Sequence, residues 1–319
     1  MSTRGVPDDT FADRVAGMMY GAAIGDALGS AFEFVSSRAI EAAIGGACAR
    51  DYHVALRGSL LHPRQPGIPT DDTAMTLALV DALCDPGPSD VAQFHRRFFA
   101  GLARGAGLVA DMFWNGGPGG TCITAIGVAD AGAGPFERLD PNAGANGAAM
   151  RAHPCAIFRD RATVASVASM QARLSHPHPG AVASAQVVAL VAHDALMTGR
   201  LTSDCPAEVS DATMRRAWEQ MHRGGEPGAQ LPAHLLDVDM AGWNTVAAAH
   251  AIALLYQDDP EAGIGFAAAS GKDTDTVASI TGAMLGAVHG RRALPQGWMD
   301  GLHGRELIEP RIEALLESI

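Results

Sequence analysis

Two short acidic clusters hold most of the chemistry this sequence offers. Thr70-Asp71-Asp72-Thr73 opens the apolar run 74–83, and Asp273-Thr274-Asp275-Thr276, preceded by Gly271 and Lys272, opens the run 277–290. Ser, Thr or Asp ahead of an apolar-periodic run is a helix start signal, and acidic groups there complement the helix dipole. A cap needs only one side-chain oxygen, whereas each of these starts carries two carboxylates and two threonines. Either cluster alone reads first as a cap. Were the two to meet, their carboxylates would repel strongly unless one or two hard divalent cations neutralised them. Oxygen donors without His or Cys favour Mg or Mn over Zn. Together, the clusters predict a metal site.

The elements that must position these groups read as helices. From about Thr10 to Leu28 the chain is apolar, with Asp13, Arg14 and Asp26 as its main charges and glycine at 17, 21, 25 and 29. Glycine costs about 1 kcal/mol against alanine inside a helix, so this ridge predicts close approach by another helix. The run after Thr276 repeats the device at Gly282, Gly286 and Gly290, and the two helices are expected to lie together and draw the chain's ends together. Just past the first ridge, Ser30-Ala-Phe-Glu33 offers either a rim charge or a third carboxylate for the site.

Further along, residues 36–67 read mostly as loop. A helix is expected from about Ser89 to Arg104, with Val91, Phe94, Phe98 and Leu102 on one face. Asn115-Gly-Gly-Pro-Gly-Gly-Thr121 then leads into a small-residue helix. Such a turn can cradle phosphate on backbone N–H groups, though its spacing matches neither the Walker pattern nor Gly-x-Gly-x-x-Gly, and a plain turn is the commoner use. Helices are expected over 162–174, 181–198, 212–223 and 246–256. His176 and His178 flank a proline in the break before 181 and read as solvent-facing histidines. The 3.6-residue period recurs throughout, and no alternating run supports a sheet. The expectation is one all-α, compact multi-helix domain over residues 1–319.

Composition narrows the function. The chain has 319 residues, 48% hydrophobic but only 5% aromatic, so it packs through small side chains. A formal charge of −12 without a Lys/Arg run argues against non-specific nucleic-acid binding, which depends on phosphate neutralisation. The five cysteines are widely spaced and lack a Cys-x-x-Cys pair, as expected of reduced thiols. No signal-type N-terminus or uninterrupted apolar span is apparent, so the expected location is cytoplasmic, without a membrane partner.

An ordered set of motifs resembles the ADP-ribosylglycohydrolases, which include dinitrogenase-reductase-activating glycohydrolases and ADP-ribosyl-acceptor hydrolases. These are Gly21-Ala-Ala-Ile-Gly-Asp-Ala-Leu-Gly29 with Glu33, Thr70-Asp-Asp-Thr-Ala-Met75, Ala145-Asn-Gly-Ala-Ala-Met-Arg151, Ser175-His176, and Asp273-Thr-Asp-Thr-Val277. The resemblance implies an all-α fold with a central cleft holding two divalent cations, Mg or Mn. It implies metal ligands at Thr70, Asp71, Asp72, Asp273, Asp275 and Thr276, with Glu33 beside them. Gly117, Gly119, Gly120, Asn146, Gly147 and His176 would line the ADP-ribose cleft. Two departures stand out: Lys272 where the family usually has glycine, and no serine in Pro141-Asn-Ala-Gly-Ala145, where one often contacts a phosphate.

Residues and resemblance point to hydrolysis of a ribose glycosidic bond through an oxocarbenium-like transition state. Paired cations would orient the ribose hydroxyls and acidify a water, with Glu33, Asp72 or Asp275 taking its proton. The expected partner is ADP-ribose or an ADP-ribosylated protein, linked through arginine first and serine next. Two other readings stay open: a hydrolase of a small N-ribosyl nucleotide metabolite, and a non-catalytic ADP-ribose-binding relative.

Overall fold

In the computed structural model, residues 9–59, 65–85, 87–104, 118–223 and 232–318 are described. Helix α1 (Asp9–Gly29) is buried at every residue from Val15 to Gly29, the state expected of a helix apolar on all sides. Its partner is α11 (Thr274–His289), buried from Thr274 to Val288. The two run antiparallel, backbone on backbone. A Cβ added at Gly17, Gly21, Gly25 or Gly29 would sit well under 3.0 Å from the backbone of Gly286, Gly282, Ala278 or Thr274 respectively. The four-residue ridges of the sequence are thus the two halves of one seam, as their spacing predicts.

The remaining helices are α2 (Ser37–Ile44), α3 (Asp71–Cys84), α4 (Val91–Ala103), α5 (Gly120–Asp130), α6 (Arg161–Arg173), α7 (Pro179–Thr198), α8 (Ala212–Met221), α9 (Gly242–Leu255), α10 (Pro260–Ala268), α12 (Gln296–Gly301) and α13 (Arg305–Glu317). Around the central pair, α10, α9 and α7 pack on α11, while α3, α10 and α13 pack on α1; α6 pairs with α7, α4 with α3 and α8 with α9. A single hydrophobic cluster links residues from Val15 to Leu315. No β-strand occurs among the described residues; two isolated bridges join Arg57 to Ser59 and Ala145 to Ala241. The all-α expectation holds.

The described part of 36–67 is mostly loop, as expected, but holds one helix that periodicity does not mark. Residues 36–67 contain α2, which Ser36 caps by accepting from the Ala39 N–H at 3.4 Å and which ends at left-handed Gly45. It buries only Ile40, so eight residues present too little apolar period to be read from sequence. Helices α10, α12 and α13 also lie outside the segments that periodicity marks. Of the described helices, only α7 is long and apolar enough to cross a bilayer; most of it is buried inside the protein, as a core helix is.

The seam makes a direct prediction. Gly21→Ala and Gly25→Ala should each destabilise by roughly 2–3 kcal/mol, because neither backbone can retreat from the added methyl. Gly127→Ala in α5, where a Cβ would meet nothing within 4 Å, should be neutral or stabilising by up to about 1 kcal/mol. Urea unfolding midpoints of the three variants check this.

Candidate active site

The C-terminal end of α1 assembles the site. Asp26 is the one charged residue in the buried stretch of that helix and is fully buried. Its carboxylate accepts from the Thr70 N–H at 2.9 Å, the Thr73 N–H at 3.0 Å and the Thr73 hydroxyl at 2.5 Å. A side chain of α1 therefore satisfies orphan amides in the first turn of α3. Thr70 caps α3 itself, its hydroxyl accepting from the Asp72 N–H at 3.3 Å. Asp71 and Asp72 are left to face a cavity of about 370 Å³.

At α11 the cap expectation fails. Asp273 occupies the cap position but makes no side-chain capping bond. Its carboxylate instead accepts a short hydrogen bond from Asn146, whose amide also donates to Thr245 at 3.1 Å. The Thr274 hydroxyl donates to the Gly29 carbonyl at 2.8 Å, pinning the start of α11 to the end of α1.

Glu33 follows at once. Its segment is tied to the α11 loop by two backbone bonds, from the Phe34 N–H to the Lys272 carbonyl at 2.6 Å and from the Lys272 N–H to the Val35 carbonyl at 2.9 Å. Phe34 and Lys272 both take left-handed backbone, at φ +62° and +63°, where glycine would be unstrained. Asp237 adds a third tie. It accepts from the Ser37 N–H and hydroxyl, each at 2.9 Å, and donates its own N–H to the Ser270 carbonyl at 2.8 Å. With these ties in place, Glu33, Asp273 and Asp275 bring carboxylate oxygens within 4.8 Å of one another. Asp72 closes the group, with the Thr276 hydroxyl 3.5 Å from its Oδ2.

The electrostatics ask for a cation. Burial first, then neighbouring carboxylates, push the pKa of Asp72 and of Asp275 well above the usual carboxylate range. Burial also raises Asp273, against the hydrogen bond from Asn146. The Asp72 Oδ1 is buried without a hydrogen-bond partner, which a protein tolerates poorly unless something positive occupies the space. An all-oxygen donor set with an orphaned carboxylate oxygen fits a hard divalent ion.

The cavity is lined by Glu33, Phe34, Asp71, Asp72, Asp273, Asp275 and Thr276 together with Gly119–Cys122, Ala145–Gly147, Met150, His176 and Met240. Of the expected site residues, Thr70 does not line it, and Gly117 lies outside the described residues. Gly119 and Gly120 form the start of α5, where a Cβ would meet nothing within 4 Å. Asn146 reaches the cavity wall but spends its amide on Asp273. The solvent-facing reading of His176 is corrected: the residue is 1% exposed, held by its own N–H to the Ala172 carbonyl at 2.8 Å and by Ser175 Oγ at its Nδ1. Lys272 is exposed and does not line the cavity. Cys122 does, but burial pushes its thiol up to about 12, so no thiolate nucleophile is available.

Sequence reasoning missed Asp26 and Asp237 as side chains that hold the site together, and gave no place to Arg151, which is fully buried. For Asp26 and Arg151 the usable signal was a lone charge inside an apolar helical or small-residue run, since fully buried charges need partners. Asp237 carried no such signal.

Comparison with known proteins gives the family. The family model described as ADP-ribosylglycohydrolase matches residues 7–319. The chain is 29% identical over 321 residues to the ADP-ribosyl-(dinitrogen reductase) glycohydrolase of Rhodospirillum rubrum, covering 95% of this chain and 96% of that one. It is 26% identical to an ADP-ribosylarginine hydrolase of Serratia proteamaculans, covering 97% and 81%. A solved structure described as an ADP-ribosylglycohydrolase-related protein complex superposes with a TM-score of 0.71 at 25% identity, over 98% of this chain and 99% of the other.

Because burial and neighbouring carboxylates disfavour the charged form of Asp275, Asp275→Asn should raise the melting temperature of cation-free protein above that of the wild type. It should also abolish the further rise that millimolar Mg or Mn gives the wild type. Thermal melts with EDTA and with each ion test both halves.

Proposed function

The chain belongs to the ADP-ribosylglycohydrolase family, and from that premise we propose that it hydrolyses the bond between ADP-ribose and a protein side chain, arginine foremost. The observation that carries this reading is the gathering of Glu33, Asp72, Asp273 and Asp275 at one wall of a cavity whose other lining includes Gly119, Gly120, Asn146, Gly147 and His176. Its volume lies within the usual range of small-molecule sites.

Each group has work to do in such a reaction. Cleavage at the anomeric carbon builds positive charge on the ribose, and fixed carboxylates stabilise that charge without reorganising. Glu33 is the least buried of the cluster, which suits a general base that takes a proton from an entering water. Asp72, Asp273, Asp275 and Thr276, with Asp71, are the residues that would hold two divalent ions, Mg or Mn. Bound there, such ions would offset the carboxylate repulsion and supply Lewis acidity. Asn146 keeps the Asp273 carboxylate aimed, and Asp26 does the same for the start of α3. The first turn of α5 gives an anion-binding helix N-terminus for the pyrophosphate.

Arginine linkage is favoured on two grounds. A guanidinium leaving group is a cation drawn to the acidic end of the cavity, and Phe34, 43% exposed beside Glu33, offers it an aromatic face. The Serratia relative is named for that substrate. Free thiols at all five cysteines suit action in the cytoplasm.

The test is incubation with arginine- and serine-ADP-ribosylated peptides and with small N-ribosyl nucleotides, scoring free ADP-ribose or ribosyl product. The expected outcome is faster release from the arginine peptide, loss in EDTA, and recovery with Mg or Mn. Cleavage of the nucleotides alone would reassign the substrate. Unchanged release in EDTA would remove the cations from the mechanism.

A further inference from the structure

Behind the wall formed by Gly147 and His176 lies Arg151, fully buried. Its guanidinium is spent on neutral acceptors. Nε donates to Gln171 Oε1 at 2.9 Å, Nη1 to the Gly147 carbonyl at 2.8 Å, and Nη2 to the Gln171 carbonyl at 3.3 Å and to Ser175 Oγ at 2.7 Å. Ser175, itself 3% exposed, places the same Oγ 2.8 Å from His176 Nδ1.

The polarity of this chain of bonds follows from its first member. A guanidinium can only donate, so Ser175 Oγ accepts from Arg151; a buried hydroxyl proton needs an acceptor of its own, and the one other partner of this oxygen among the described residues is the atom on its other side. That atom is His176 Nδ1, and a neutral imidazole that accepts at Nδ1 carries its hydrogen on Nε2. Nδ1 points back toward Ser175, which does not line the cavity, while His176 does. The place a Cβ on Gly147 would occupy lies 3.0 Å from Cε1 and 3.1 Å from Nε2, so the Nε2 edge lies along the wall that Gly147 forms. Burial and the Arg151 charge hold the ring's pKa down to about 3, which keeps it neutral at ordinary pH.

We propose that Arg151, acting through Ser175, is a positioning residue that locks His176 as the Nε2–H tautomer and so makes this point of the cavity a hydrogen-bond donor for an acceptor oxygen, a sugar hydroxyl or a phosphate oxygen. The opposite tautomer would present a lone pair there, which repels a phosphate oxygen and takes a sugar hydroxyl only as a donor. Through Nη1 the same guanidinium also holds the Gly147 carbonyl, so one buried group sets both the side chain and the backbone of this wall. The locking itself needs no assumption about substrate; the use of ADP-ribose as its probe rests on the function proposed above.

The test uses full-length protein with ¹⁵N-labelled histidine, and His176→Gln to assign the resonance. The wild type should show the Nε2–H pattern for His176, unchanged from about pH 5 to about pH 8. Ser175→Ala, which spares the buried arginine, should populate the Nδ1–H form and weaken ADP-ribose binding about tenfold by calorimetry. Ser175→Thr, which keeps the hydroxyl, should restore both. An Nδ1–H pattern in the wild type, or a tautomer unmoved by Ser175→Ala, overturns the proposal. If the wild type does not bind ADP-ribose, the substrate reading fails, and the tautomer pattern still decides the relay.

Discussion

The backbone seam between α1 and α11 is the contact on which everything else in this protein depends. Because α1 presents glycine at each point of closest approach, against Gly286, Gly282, Ala278 and Thr274 of α11, their backbones meet with little room to rotate or slide. A shift by one residue would drive a bulky side chain into a carbonyl. The register is therefore fixed by sterics, and it sets the end of α1 beside the start of α11. Glu33, Asp26 and the pair Asp273–Asp275 come together there because they stand just past, or just inside, the end of the seam at Gly29 and Thr274.

Around that fixed point the site is held by unusual means. Carboxylates do structural work toward backbone amides: Asp26 receives the start of α3, and Asp237 receives Ser37 beside the strained Phe34 and Lys272. Left-handed non-glycine residues cost of order 1 kcal/mol or more each. They persist here because two backbone bonds and the Asp237 carboxylate over-determine the loop. The buried cluster of acids is a second local liability. Both are the kind of feature that proteins retain at working sites and offset by packing elsewhere, in this case by the hydrophobic core around α1, α7 and α11.

Much of this was legible beforehand. The recurring 3.6-residue period gave the all-α architecture, and the glycine spacing gave the helix pairing. The residue types in the two acidic clusters gave the oxygen-rich chemistry. Other features were not legible, each for a definite reason. Helix α2 was too short to show a period. The break at Ser175-His-Pro looked like surface because prolines and histidines usually lie there, yet His176 is buried against the cavity. Thr70 and Asp273 look alike as helix-start residues, but Thr70 caps its helix, while Asn146 draws the Asp273 carboxylate away.

The sequence by itself determined what is local or periodic: which segments are helices, which helices can approach to backbone contact, and which side chains could hold a hard cation. Only the tertiary structure decided which of those side chains meet, which serve as caps, and that Asp26 and Arg151 work from behind the cavity wall. The physical reason is range. A helix is written in bonds between residues four apart, which any short window of sequence contains. The direction of a carboxylate or the tautomer of a histidine is set by partners tens to hundreds of residues away, which become neighbours only after the chain has packed.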